Sequence, residues 1–328
     1  MIDKHKEEEF YAKSFNFSYS SLNKLLHSPS LFYKDYILLD REIKTDKHLI
    51  EGKLIHCLLF EPDELSNKFN IIPGKLPSDN IKRVMKDMYC YTKEKDLDKI
   101  EDKIILNSLK YQNLYQALKT DESRISKVKT EDNKPYWKFL SNSTIDIIDQ
   151  DVLDKCKRQV EILKENKDVK SIFNIKNTDF ELDSDAKAAE QYLKCPLKDK
   201  SFGLHGFIDY YKIDSKKQTV TIYDLKTTSK TISDFPETVE YYNYWLQAAI
   251  YTKLVYDSVD KEISNTYNFL FKFVVIDKYN QVYVFEVSDQ SMSVWANELA
   301  GILDIADHHY SNRSYELPYN FLVNQQLL

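Results

Sequence analysis

Glycine is scarce in this sequence, five among 328 residues, so each one is expected to mark a place where a side chain would not fit. Cysteine is scarcer still. Cys57, Cys90, Cys156 and Cys195 are scattered without a CxxC spacing, which argues against a zinc or iron–sulfur site and offers no disulfide framework. They read as reduced packing residues. No apolar run reaches the ~18 residues of a membrane span, and Met1 to Glu7 lack the apolar core of a signal peptide. The expectation is a cytoplasmic protein with no membrane partner. Positive charge is not in excess either. A net charge of −6 tempers any claim of tight unspecific affinity for nucleic acid, although a local basic groove can coexist with an acidic exterior.

What is present fits a globular α/β protein. Hydrophobic residues make up 42% and charged residues 30%, and the length is enough to bury a sizeable core. Residues 1–18 are polar and read as loosely ordered. Tyr19-Ser20-Ser21-Leu22 reads as a helix start with a serine cap, and Leu49 to Phe60 as an apolar helix stopped by Glu61-Pro62. Lysine- and glutamate-rich helical spacing over 75–165, with clear segments at Ile81–Met88, Ile100–Leu118 and Val152–Lys164, reads as a helical insertion or subdomain. The length allows two ordinary domains, and the chain is read as a single domain, 1–328, with the insertion within it. Strands are expected from Phe180 onward, with one hairpin over 205–227 and another over about 266–287. Helices are expected at Val239–Tyr256 and Ser291–Tyr310, and no clear structure after Asn320.

The most informative spacing is Asp209 followed by Asp224-Leu225-Lys226. His205 to Ile213 and Thr219 to Thr227 read as strands joined by the polar turn Asp214 to Gln218. Closing that hairpin brings Asp209 opposite Asp224, within a residue of register. Like charges facing across strands, with Cβ atoms ~5 Å apart, are destabilising, so the pair needs a cation, a shared proton or a solvent-facing position. Period-two alternation puts Asp224 and Lys226 on the face that carries Val220 and Ile222, which favours a half-buried metal site. Metal-assisted phosphodiester hydrolysis uses such a set: carboxylates hold one or two ions and a lysine positions the nucleophile. The plainer reading is of strand-end aspartates accepting turn hydrogen bonds.

Other residues are less telling alone. His56, in Gly52-Lys53-Leu54-Ile55-His56, could be a core histidine bonded to backbone; Gly52 one turn earlier would let a backbone or a phosphate come close. Gln247 and Tyr251 share a helix face, either as its polar edge or as groups reaching toward the lysine or a phosphate. Glu190 is unremarkable by itself.

Taken in order, Gly52–His56, Gly206–Asp209, Asp224–Lys226 and Gln247–Tyr251 resemble the GxxxH, GxxD, (D/E)xK and QxxxY motifs of the PD-(D/E)xK nuclease superfamily, in its RecB-like branch. Finer stretches, Gly52 to Pro62, Ala189-Glu190-Gln191, Asp224 to Thr228 and Tyr19 to Leu22 with Ser28-Pro29, are similar to the RecE (exonuclease VIII) type. The resemblance spans about residues 18–310 and is thinnest over 75–150. It implies a mixed central sheet with flanking helices and a Mg²⁺- or Mn²⁺-dependent exonuclease with two ions. Such an enzyme degrades one strand of duplex DNA from its 5′ end and leaves 3′ strands for recombination or annealing. It further implies that His56, Glu190, Asp209, Asp224 and the carbonyl of Leu225 hold the metals. Lys226 would orient water, Gln247 and Tyr251 would brace the site, and Ser20 or Ser21 would contact a terminal phosphate. A ring of copies around DNA ends, a single-strand annealing partner and a phage origin are implied as well. No cysteine follows Cys195, so the iron–sulfur variety of this branch is not expected. Two rival readings keep the motifs: an endonuclease acting on flaps, junctions or single strands, and a non-catalytic DNA-binding or assembly protein on a retired nuclease fold.

Overall fold

Apolar and polar side chains alternate along the strands after residue 190, while the region before them is patterned for helices. The computed structural model describes residues 4–41, 47–72, 74–92, 94–140, 146–173 and 190–323. The chain opens with α1 (Lys4–Tyr11), β1 (Asn16–Phe17), α2 (Tyr19–His27) and α3 (Pro29–Phe32), the last running into a π-helical turn, Tyr33–Ile37. There follow α4 (Lys47–Phe60), α5 (Leu65–Lys68), β2 (Phe69–Ile72), α6 (Asp79–Tyr91), α7 (Asp102–Tyr111), α8 (Asp121–Ile125) and α9 (Lys134–Leu140). Next come β3 (Asp146–Asp149), α10 (Gln150–Glu165) and α11 (Lys167–Phe173). After residue 190 the order is β4 (Gln191–Pro196), β5 (Gly203–Ile208), β6 (Tyr210–Asp214), β7 (Thr219–Thr227), α12 (Phe235–Tyr241), α13 (Tyr244–Ser258) and α14 (Lys261–Thr266). The chain then runs through β8 (Asn268–Ile276), β9 (Val282–Glu286), α15 (Asp289–Asn312) and α16 (Tyr319–Val323).

These elements form two compact units, one made of Met1–Lys44 with Ile162–Leu328 and the other of Thr45–Glu161. The first is mixed α/β. It holds a three-stranded sheet in the order β1-β5-β4 and a four-stranded sheet in the order β6-β7-β8-β9. β7 and β8 run parallel, whereas β6–β7 and β8–β9 are antiparallel. A parallel pair needs a long crossover, supplied here by α12, α13 and α14. β8 is apolar on both faces because it has a strand on each side and helices over it. α13 packs on both sheets and on α2 and α15, and its Leu246, Ala248 and Ile250 are wholly buried with Ile208, Ile222 and Phe271.

The second unit is mainly helical, with one small parallel sheet, β2 against β3. Val84, Met85, Met88, Ile105 and Trp137 form its core, and the Trp137 Nε1–H donates to the carbonyl of Glu94 at 3.1 Å. Lys53 pairs with Asp146 at 2.8 Å and Lys155 with Glu51 at 2.7 Å.

Several local expectations are corrected. Residues 4–17 are not loose: α1 forms, and β1 pairs with the start of β5 because Phe17 is wholly buried. The helix expected over Val239–Tyr256 is two, parted by a left-handed Asn243 (φ +56°), a conformation asparagine tolerates. The helix expected over Ile100–Leu118 stops at Tyr111, and positive φ at Asn113 and Tyr115 turns the chain. Of the tail expected to lack structure, residues 320–323 are helical and 324–328 lie outside the described residues. The expected strand over His205–Ile213 breaks at Asp209, and its halves belong to different sheets. Strand structure expected over 180–189 lies outside the described residues. Of the four cysteines, Cys90 is exposed and the rest are buried.

Candidate active site

The break at Asp209 builds the site. β6 pairs with β7 up to Tyr210↔Tyr223, so one step further sets Asp209 across from Asp224. β4 pairs with β5 up to Gln191↔Ile208, so one step further sets Glu190 across from Asp209 on the other side. The Glu190 N–H donates to the Asp209 carbonyl at 3.0 Å, continuing that ladder by one rung. Three acidic residues thus occupy neighbouring positions where one sheet hands over to the next. Glu190 is left-handed (φ +54°). That conformation costs a non-glycine residue ~1–2 kcal/mol and is held only by well-determined surroundings.

Asp209 is 6% exposed, and its Oδ2 accepts the backbone N–H of Leu225 at 2.7 Å. In an extended strand the N–H and C=O of one residue point to the same edge. The Leu225 carbonyl therefore faces the edge that Asp209 occupies. Asp224 is 0% exposed. Both its carboxylate oxygens are buried without a directed hydrogen bond. The Lys226 Nζ stands 2.5 Å from Oδ2 as an ion pair. Beside the Lys226 ammonium, which offsets its charge, the carboxylate has no backbone or amide donor on either oxygen. The donors at the junction are hard oxygens, the set that suits Mg²⁺ or Mn²⁺ and not a thiophilic metal. Glu190 and Asp209 each offer a carboxylate oxygen within 4.8 Å of the other. The residues present fit a divalent cation.

Lys226 donates to Gln247 Oε1 at 3.0 Å and lies 4.7 Å above the centre of the Tyr244 ring. Burial alone would lower its pKa, but Asp224, Tyr244 and Asp209 outweigh burial and raise it, so the side chain is held as an ammonium ion. The Tyr251 pKa is raised far above the usual phenol range, first by burial and then by Asp224 and Asp209, against a lowering hydrogen bond from Gln247. Tyr251 thus remains a neutral hydroxyl beside the carboxylates. Tyr244 and Tyr19 are pushed up as well, burial first, with Asp224 contributing to each.

Gln247 and Tyr251 reach the site because α13 lies close against β5. A Cβ at Gly206 would stand 2.9 Å from Tyr251 Cε1 and 3.2 Å from Leu254 Cδ1. The glycine of the GxxD motif is therefore a contact surface for the helix. Gly206→Ala is expected to lower unfolding stability by ~1–3 kcal/mol through overpacking and to reduce activity by displacing Tyr251. Urea melts check the first effect, and an unchanged midpoint would show that α13 yields freely.

The two serines differ. Ser21 is buried in a capping box with Ser18, the true N-cap of α2: its Oγ accepts the Ser18 N–H at 2.8 Å and donates to the Ser18 carbonyl at 3.0 Å. Ser20 is exposed. His56 lies on α4, in the other unit, half-buried and 5.9 Å from the Phe60 ring. Sequence reasoning missed Tyr244 and Tyr19. Tyr244 was within reach, since it precedes Gln247 by three and Tyr251 by seven and so shares their helix face. Nothing local marks Tyr19, whose hydroxyl donates to the Tyr242 carbonyl.

No curated protein matches this chain. Among solved structures it is similar to that of a candidate exonuclease from Eubacterium rectale, at 10% sequence identity and a TM-score of 0.45, with 99% of each chain covered. The profile of the PD-(D/E)XK nuclease superfamily matches residues 16–309, a span that starts ahead of the α2 cap, takes in all four motifs and ends within α15. By that match over most of its length, the chain belongs to the PD-(D/E)XK nuclease superfamily.

Proposed function

We propose that this protein is a metal-dependent deoxyribonuclease that degrades linear duplex DNA from the 5′ end and leaves 3′ single strands. The observation that carries the metal-dependent part is the buried Asp224 carboxylate. It lacks a directed hydrogen bond and sits beside a second carboxylate and an ammonium group. Asp209, Asp224, Glu190 and the Leu225 carbonyl would hold Mg²⁺ or Mn²⁺ as two ions. His56 joins this set on the strength of the Gly52–His56 motif alone. Bound there, a divalent ion polarises the phosphodiester and acidifies a water molecule. The chain's own groups do the rest. The Leu225 N–H fixes the direction of the Asp209 carboxylate, and Gln247 and Tyr244 hold the Lys226 ammonium where it can orient the attacking water. Tyr251 would brace the site with Gln247, and Ser20, which is exposed, would contact a terminal phosphate.

The exonuclease mode, the 5′→3′ polarity and a recombination role rest on the likeness to RecE-type enzymes. So do a ring of copies, an annealing-protein partner and work in the cytoplasm of a phage host. A covalently closed circular duplex and linear duplexes labelled at the 5′ or 3′ end test this reading with Mg²⁺ present. The expected result is an untouched circle and early release of the 5′ label as mononucleotides. Opening of the circle would make the enzyme an endonuclease. Inert substrates of every form, with no heat on titration with Mn²⁺, would leave a nuclease fold without catalysis.

A further inference from the structure

We infer that the outward face of β4 and β5 is a stacking platform for unpaired bases of the strand that enters the site, an inference that rests on the nuclease reading above. The two strands alternate. Leu193, Cys195, Leu204, Gly206 and Ile208 are buried, while Tyr192, Lys194 and Phe207 are exposed and His205 is half-buried. Their register pairs Tyr192 with Phe207 and Lys194 with His205. Tyr192 is 48% and Phe207 55% exposed. Their ring centres are 5.1 Å apart, and His205 lies 5.6 Å from Tyr192. Two exposed aromatic rings with a half-buried imidazole beside them, next to a lysine, need a reason.

Position supplies one. The Tyr192–Phe207 pair lies two residues along the same strands from Glu190 and Asp209. At ~3.3–3.4 Å per residue that is ~7 Å, about two base-stacking rises of ~3.4 Å each. A strand whose phosphate reaches the carboxylates therefore carries its adjoining bases over the rings, with Lys194 beside its backbone. Aromatic faces with a flanking cation are the means by which proteins hold unpaired nucleotides without regard to sequence. Within a duplex the bases bury their faces against one another, and only the terminal pair shows one. Stacking more than one base on these adjoining rings needs unpaired nucleotides, so the occupant is a frayed or single-stranded end.

The test uses the full chain in EDTA, so that nothing is cleaved, with a single-stranded oligonucleotide carrying 2-aminopurine next to its 5′ end. Wild-type protein is expected to quench the fluorophore by stacking. The Tyr192→Leu/Phe207→Leu double variant keeps an apolar cross-strand pair and so the fold. It is expected to lose the quenching and to bind at least ~10-fold more weakly. Tyr192→Phe, which keeps the ring, should behave as wild type. Unchanged quenching and Kd in the double leucine variant would overturn the platform, as would a shift of its oligomeric state by sedimentation, which would give the rings to a second copy of the chain. Wild-type cleavage of labelled duplex with Mg²⁺ keeps the two questions apart. If wild type cleaves and the double variant binds normally, only the platform fails; if wild type cleaves nothing, the nuclease reading fails.

Discussion

Asp224→Asn is expected to lower DNA cleavage by at least ~1,000-fold while shifting the melting temperature by only a few degrees. The loss follows from the position of the carboxylate. A metal-holding group supplies several kcal/mol of charge stabilisation, and each ~1.4 kcal/mol is a factor of ten in rate. The small change in stability follows from its surroundings. The variant loses the ion pair with Lys226 but no longer buries an anion that lacks further donors, and the two changes offset each other. Lys226 meanwhile keeps the field of Asp209 and the face of Tyr244. Calorimetric titration with Mn²⁺ should lose its heat in the same variant. A suitable control is Asp214→Asn, in the β6–β7 turn, where the carboxylate accepts the N–H groups of Lys216 and Lys217; it should cleave normally. An Asp224→Asn enzyme with more than about a tenth of the wild-type rate would remove Asp224 from the site.

Lys226→Met should do the opposite to stability. Methionine fills much the same volume but leaves Asp224 and Asp209 at the sheet junction without their ammonium. Breaking a buried pair by deleting one partner typically costs ~3–5 kcal/mol. That cost should appear in urea melts run in EDTA. A divalent ion should restore much of it, because anything that binds only the folded state stabilises in proportion to ln(1 + [L]/Kd). The melting-temperature rise on adding Mn²⁺ should therefore be larger in the variant than in wild type. Cleavage should fall ~100- to 10,000-fold for want of a group that orients the nucleophile. Equal stability of the two proteins in EDTA would show that Lys226 does not balance those charges.

The motif strands were legible because their chemistry is local. Alternation located β5, β6 and β7, the run Asp214 to Gln218 gave the turn, and the apolar run at 268–276 placed β8 inside its sheet. The facing of Asp209 and Asp224 followed from that hairpin. The break at Asp209 did not, because Tyr210-Tyr211 continues a good strand pattern and the interruption arises where two sheets diverge. Glu190 was visible only as part of a familiar string; its left-handed backbone and its rung to Asp209 depend on a partner nineteen residues away. The elbow at Asn243 was hidden by the helix-like run of aromatics around it. β1 escaped because a two-residue strand exists only by virtue of the Gly203 and Leu204 backbone beside it.

The parallel pairing of β7 with β8 also has a consequence during synthesis. Each β7 residue finds its β8 partner about 50 positions later in the chain, an interval of ~2.5–10 s at ~5–20 residues per second. Until then β7, with Val220, Ile222 and Leu225 destined for burial, has only the short β6 beside it and offers an open edge to neighbouring nascent chains. Aggregation during overproduction should concentrate in that window, so slower growth at low temperature, or a chaperone that covers the emerging strand, is the remedy to apply first.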